Sequence, residues 1–168
     1  MLSMAPSGDC FAGGGGDGQF YFFKTAEFRN APGPASTYHI PEGHGAVYGV
    51  AVAEDGSSYA GTMNVVDAGA VYLVNPTSAV GTLIKKFDTA KNPNCVTINS
   101  GAGLMAVADG HPDGHKGNFY LYENIDTTPQ QKWGFETPNM SWPIAISGNG
   151  KTVVGGCDYP GNVYYFSA

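Results

Sequence analysis

Four glycines fall into register when the chain is written against a period of about 47 residues: Gly8, Gly56, Gly103 and Gly150, separated by 48, 47 and 47 positions. No other feature restricts the fold as much, because a unit of roughly 40 to 50 residues cannot enclose a core and must bury its apolar faces against copies of itself. Five positions after each glycine stands a small residue, Gly13, Gly61, Ala108 and Gly155, inside an alternating segment. Further along, each copy carries Gly-x-x-Tyr followed by apolar residues: Gly18 to Tyr21, Gly69 to Tyr72, Gly117 to Tyr120 and Gly161 to Tyr164. A last short segment precedes the next copy, at Thr37–Ile40, Leu83–Thr89 and Gln131–Thr137, with Phe87 and Phe135 one 48-residue step apart.

Each copy therefore predicts four short strands, A to D, rich in Val, Ile, Tyr and Phe and separated by Gly, Asn, Asp or Pro. In the third copy these are Cys95–Asn99, Leu104–Ala108, Asn118–Glu123 and Gln131–Glu136. No segment holds a helical period over three turns. Antiparallel four-stranded units repeated at this interval predict an all-β fold, a β-propeller of four blades, with repeats at approximately 1–45, 46–92, 93–140 and 141–168 in a single domain. The small residue on strand B suits that geometry, since neighbouring sheets approach closely near the axis. Met1 to Met4 falls where a strand A belongs and Val163 to Phe166 where a strand C belongs, so the expectation is four A-B-C units and three D strands. Four copies are half of eight, and an open half-ring would bare one apolar face at each end. The expected partner is a second copy, in a homodimer that closes an eight-bladed ring.

Composition excludes several classes. Charged residues are only 13% of the chain, while aromatic residues reach 12% and apolar residues 42%, which is incompatible with disorder. Eight Lys and Arg are scattered through a chain of net charge −6, leaving no basic patch for nucleic acid or an anionic membrane surface. No run approaches the length of a membrane-spanning helix, and the first ten residues lack the pattern of a leader, so a cytoplasmic location is the default expectation, with export left open. The three cysteines, Cys10, Cys95 and Cys157, show no paired spacing and are read as small buried hydrophobes, not as a disulfide framework.

The candidate site lies where the B-to-C hairpins and D-to-A connections emerge together, because loops on a rigid ring vary without cost to the core. From turn glycine to strand-C glycine the four copies measure 10, 13, 14 and 11 residues, which concentrates the variation in the hairpins. Every hairpin carries an aspartate. The ligand-binding candidates are Asp17, His44, Asp67, Trp142 and Asp158. The third hairpin alternates Asp109, His111, Asp113 and His115, side chains that suit a divalent metal such as zinc, nickel or copper. Asp-Gly and Pro-Asp-Gly are also ordinary turn chemistry, and the turn reading is preferred. Substituting Asp109, His111, His115 or Trp142 is expected to alter binding with little change in melting temperature, although Pro143 could draw the Trp142 ring inward. The run Gly13–Gly16 has neither the following Lys-Ser/Thr nor a helix to receive a phosphate, and reads as a tight hairpin. No triad, zincin or paired-carboxylate motif is present in the sequence.

The segment Ile144–Gly156, followed by Asn162–Phe166, resembles the WD40-like and quinoprotein-like (PQQ-like) propeller repeat, and the likeness extends over the chain as four copies. The Gly-His and Trp-Asp pairs of WD40 repeats and the adjacent cysteines of quinone-dependent dehydrogenases are not found here. The resemblance implies architecture and leaves function open. The leading expectation is a non-catalytic binding or scaffold module that recognises a protein, a peptide or a small polar ligand. The alternatives are a metal-dependent hydrolase, a reduced quinoprotein-like enzyme and a lectin-like propeller whose Tyr, Trp and Asp hold a sugar.

Overall fold

A computed structural model describes residues 1–41, 45–65, 68–99, 101, 103–111, 116–158 and 161–168. Strands follow one another with the predicted period. The first blade holds β1 (Leu2–Met4), β2 (Cys10–Gly14), β3 (Gln19–Lys24) and β4 (Ser36–His39), with one short helix, α1 (Thr25–Asn30), between β3 and β4. The second holds β5 (Ala46–Val52), β6 (Tyr59–Val65), β7 (Ala68–Asn75) and β8 (Thr82–Thr89). The third holds β9 (Pro93–Asn99), β10 (Leu104–Asp109), β11 (Gly117–Glu123) and β12 (Gln130–Thr137), and the fourth β13 (Ser141–Ile146), β14 (Thr152–Cys157) and β15 (Val163–Ser167). Each is an antiparallel meander in chain order, so three blades have four strands and the last has three. This is the four-bladed β-propeller arrangement that the repeat predicts. No helix among the described residues is long and apolar enough to cross a membrane.

The turn glycines do what their spacing requires. Gly8, Gly56, Gly103 and Gly150 have φ of 77°, 69°, 63° and 67°, a region that a β-carbon makes costly. In three of these turns the glycine N–H closes the loop onto a carbonyl three residues back, Ala5 at 2.8 Å, Ala53 at 3.0 Å and Ser147 at 2.9 Å.

Neighbouring sheets pack face to face, and every strand alternates between a front face, toward the following blade, and a rear face, toward the preceding one. Three apolar seams result. The first joins Phe20 and Phe22 to Val50, Tyr59 and Tyr72. The second joins Val71, Leu73 and Phe87 to Val96, Val107 and Tyr122, and the third joins Phe119 and Leu121 to Ile144 and Val153. The small strand-B residue is the floor of these seams: a β-carbon on Gly61 would meet the Phe20 ring at 2.7 Å, and one on Gly155 would meet the Phe119 ring at 2.5 Å. The period misplaces this position in the third blade. Tyr120 pairs with Val107, not with Ala108, which faces forward into the third seam. The residue facing the strand-C tyrosine stands five positions after the turn glycine in the other three blades and four in the third, so the rear-facing position falls at Val107.

All three cysteines are free, Cys10 and Cys157 buried and Cys95 partly so. Burial pushes the Cys10 and Cys95 thiols up, away from the thiolate that a nucleophile or metal ligand needs.

Candidate functional site

Strand A carries a bulge near its start in three blades, at matching positions in the second and fourth. Register slips between Val47 and Val50, between Pro93 and Cys95, and between Ser141 and Ile144, so strand A carries one residue more than the stretch of strand B it faces. A bulge rotates a side chain out of the alternating pattern. In the second and fourth blades the residue turned out is aromatic, Tyr48 and Trp142, and both rings are exposed. In the third blade it is Asn94, whose buried amide donates to Gly110 O at 3.0 Å and to Ser141 O at 3.2 Å. That pair of bonds ties the third strand A to the start of the fourth. Gly49 N–H donates to Thr62 Oγ1 at 2.8 Å, and the backbone of Cys95 and Val96 lies against Gly49, so the Tyr48 bulge is held from two sides.

Around these bulges lie the connections that the sequence marks as the loop end. Asp17 is exposed and its carboxylate accepts the Tyr21 hydroxyl at 2.7 Å and the Gln19 N–H at 3.1 Å. The Tyr21 hydroxyl, first, holds the Asp17 carboxyl below its usual value. Asp158 is exposed in the last hairpin, where its N–H donates to Met140 O at 2.8 Å and its carbonyl accepts the Gly161 N–H at 3.1 Å. Trp142, exposed, has not been drawn into a seam by Pro143; it is the Pro143 ring that packs on Gly156. His44 and Asp67 lie outside the described residues.

Asp109 is not a loop residue. It ends β10 on the rear face of the third blade, with no exposed surface. Its oxygens accept from Lys91 N–H, Asn118 Nδ2 and the Tyr120 hydroxyl, each at 2.9 Å, and the Tyr120 oxygen in turn accepts the Ala90 N–H at 3.1 Å. Carboxylate and phenol thus capture two consecutive backbone donors where the chain leaves the second blade, a staple across the second seam. Burial pushes the Asp109 carboxyl above its usual value, against the pull of its three donors. With its oxygens committed and no surface open to a ligand, Asp109 is a structural carboxylate, and its substitution acts on stability. His111 is half-buried just beyond it, and Asp113 and His115 lie outside the described residues. Among the described residues no three His, Cys, Asp or Glu side chains gather as a metal site.

Tyr48 is a candidate residue that the sequence reading missed, although a signal existed: Tyr48 and Trp142 stand 94 residues apart, two repeats of 47. A cavity of about 230 Å³ opens at the other end of the fold, near the axis, where Met4, Val52, Ile98 and Ile146 bring one residue from each strand A beside Thr97 and Asn99.

No protein family profile matches the chain, and no curated protein matches it either. Solved structures do. A chain in the crystal structure of a mitotic checkpoint complex is 15% identical, with a TM-score of 0.73 over 99% of this chain and 48% of that one. Hydrazine synthase from Kuenenia stuttgartiensis is 13% identical, with a TM-score of 0.70 over 99% of this chain and 51% of that one. At such identity the likeness shows the fold alone. The chain spans about half the length of these neighbours.

Proposed function

We propose that this propeller is a binding module that takes a cationic peptide or protein segment on its loop end, with Tyr48 and Trp142 as the aromatic contacts and Asp17 and Asp158 as the acidic ones. The observation that carries this reading is the pair of exposed aromatic rings turned out by matching strand-A bulges. Bulges pinned by buried hydrogen bonds present their side chains with little freedom left to lose, which favours binding. Exposed Tyr and Trp are the side chains over which a Lys or Arg settles, and a chain of net charge −6 attracts such partners at long range. The structural neighbours include a component of a multiprotein complex and an enzyme, so fold likeness alone does not choose between binding and catalysis.

Titration calorimetry against short basic, neutral and acidic peptides tests the proposal. Binding is expected only for the basic set, weakening with salt, and Trp142→Ala or Tyr48→Ala is expected to weaken it about tenfold or more while moving the melting temperature little. Equal binding of all three sets, or binding that both aromatic variants retain, would remove the assignment.

A further inference from the structure

The three seams repeat one construction. On the front face, two residues of strand C project as knobs: Phe20 and Phe22 in the first blade, Val71 and Leu73 in the second, Phe119 and Leu121 in the third. On the rear face of the next blade they meet strand A aliphatics, Val50, Val96 and Ile144, around the strand-B floor. All of these side chains are at most 7% exposed.

The same positions recur at the two ends of the molecule, and there they are bare. The knobs of the fourth blade, by register, are Val163 and Tyr165, exposed to 78% and 71%. The rear-face aliphatics of the first blade are Leu2 and Met4, exposed to 80% and 63%, over a floor made by Gly13 beside Phe11 and Phe23. Register puts Leu2, Met4, Phe11, Gly13, Tyr21 and Phe23 on one face, and Ala145, Thr152, Val154, Val163, Tyr165 and Ser167 on the other, none of them charged. On the first face the Asp17 carboxylate sits at the edge, bonded to the Tyr21 hydroxyl, and the Phe28 ring of α1 packs on Phe11 and Phe23 while leaving Leu2 and Met4 open. Charges sit instead on the outer strands, as Lys85, Lys86, Asp88, Lys132 and Glu136. One end thus offers knobs without a floor and the other a floor without knobs, the two halves of a seam built three times within the chain.

We infer that a second copy of this chain covers both faces, the Val163–Tyr165 face of each copy seating on the Gly13–Leu2 face of the other. A two-fold axis forms both seams at once, and eight blades result, within the usual range of propellers. A partner outside the repeat would have to reproduce the knob spacing by chance, whereas a second copy carries it already. The three-stranded edge of the fourth blade lies at the rim, outside the seam.

Light scattering on the eluting chain is the test. A mass of twice 17.5 kDa is expected at micromolar concentration. The double variant Val163→Asp with Tyr165→Asp, and separately Gly13→Lys, should each elute as folded single copies with unchanged far-ultraviolet dichroism. An equimolar mixture of the two variants should recover the double mass, because intact knobs meet an intact floor in one seam and the introduced aspartates meet the introduced lysine in the other. Overturning results are a wild-type chain of single mass, a mass that climbs beyond two copies with concentration, a dimer that survives the variants, or variants that remain single when mixed.

Discussion

The third blade and the first carry the same pairing of a strand-C tyrosine with an aspartate, Tyr120 with Asp109 and Tyr21 with Asp17, but only the third has a blade in front of its rear face. In the third blade the pair is buried in a seam and takes the backbone N–H groups of Ala90 and Lys91 from the blade before. In the first blade the pair faces outward, and the carboxylate accepts one local backbone donor and the phenol. Environment, not chemistry, separates them: burial raises the Asp109 carboxyl while the Tyr21 hydroxyl lowers that of Asp17. The same kind of pair thus staples two blades where a neighbour stands against it and is a solvated surface feature of the single copy where none does.

The largest effect that sharpens this contrast is expected in the seams. Phe119→Ala removes a fully buried knob from the Gly155 floor and should cost about 3 to 5 kcal/mol. Its counterpart Val163→Ala, on a bare face, should change the stability of the isolated copy by less than about 0.5 kcal/mol. Denaturant melts at concentrations below any association separate the two, and equal costs would erase the distinction between seam and end.

Next in size is Asp109→Ala, which strands one buried and two half-buried donors and should cost about 3 kcal/mol. Asp17→Ala leaves its donors to water in the single copy and should cost under about 1 kcal/mol there. Asp109→Asn, which keeps an acceptor toward Lys91 N–H and the Tyr120 hydroxyl while Asn118 turns its amide, should restore most of the loss. A small effect of Asp109→Ala would place the staple outside the folding energetics.

The smallest effect is the response to pH, and its sign differs between the two sites. The raised Asp109 carboxyl binds its proton more tightly folded than unfolded, so its contribution grows as pH falls from neutrality to below the ordinary value of 3.8. The lowered Asp17 carboxyl contributes above that value, and its contribution is lost as pH falls through its depressed folded value. Melting temperatures followed from pH 7 downward should show the wild-type chain gaining on Asp109→Asn and losing on Asp17→Asn. Parallel curves would mean that both carboxylates sit in equivalent surroundings.

Most of the fold was legible in the residues because the restraints are local and repeated. Positive-φ glycines every 47 or 48 residues set the turns, alternation set the strands, and the missing fourth D strand followed from counting. The third-blade floor was not legible, because there the residue facing the strand-C tyrosine is the fourth after the turn glycine and not the fifth, Val107 and not Ala108, and only pairing with Tyr120 reveals it. α1 also escaped, since its six residues are shorter than two helical turns.

The candidate site was half legible. Asp17 and Asp158 are exposed in hairpins, as their loop position suggests, and Trp142 is exposed from a strand-A bulge and not from a connection; Tyr48 escaped because a tyrosine inside an apolar strand reads as core until a bulge turns it outward. Asp109 misled for the opposite reason. It begins an Asp-Gly pair that is turn chemistry in any sequence, and nothing local discloses that Ala90 and Lys91 come from another blade to meet it. The sequence by itself determined the repeat, its strands, its turns and which side chains must be apolar, since backbone preference and alternation act between near neighbours. Tertiary structure alone decided which copies of a repeated residue are buried, because burial depends on whether another blade stands against that face, and four nearly equivalent copies in one arc do not share the same neighbours.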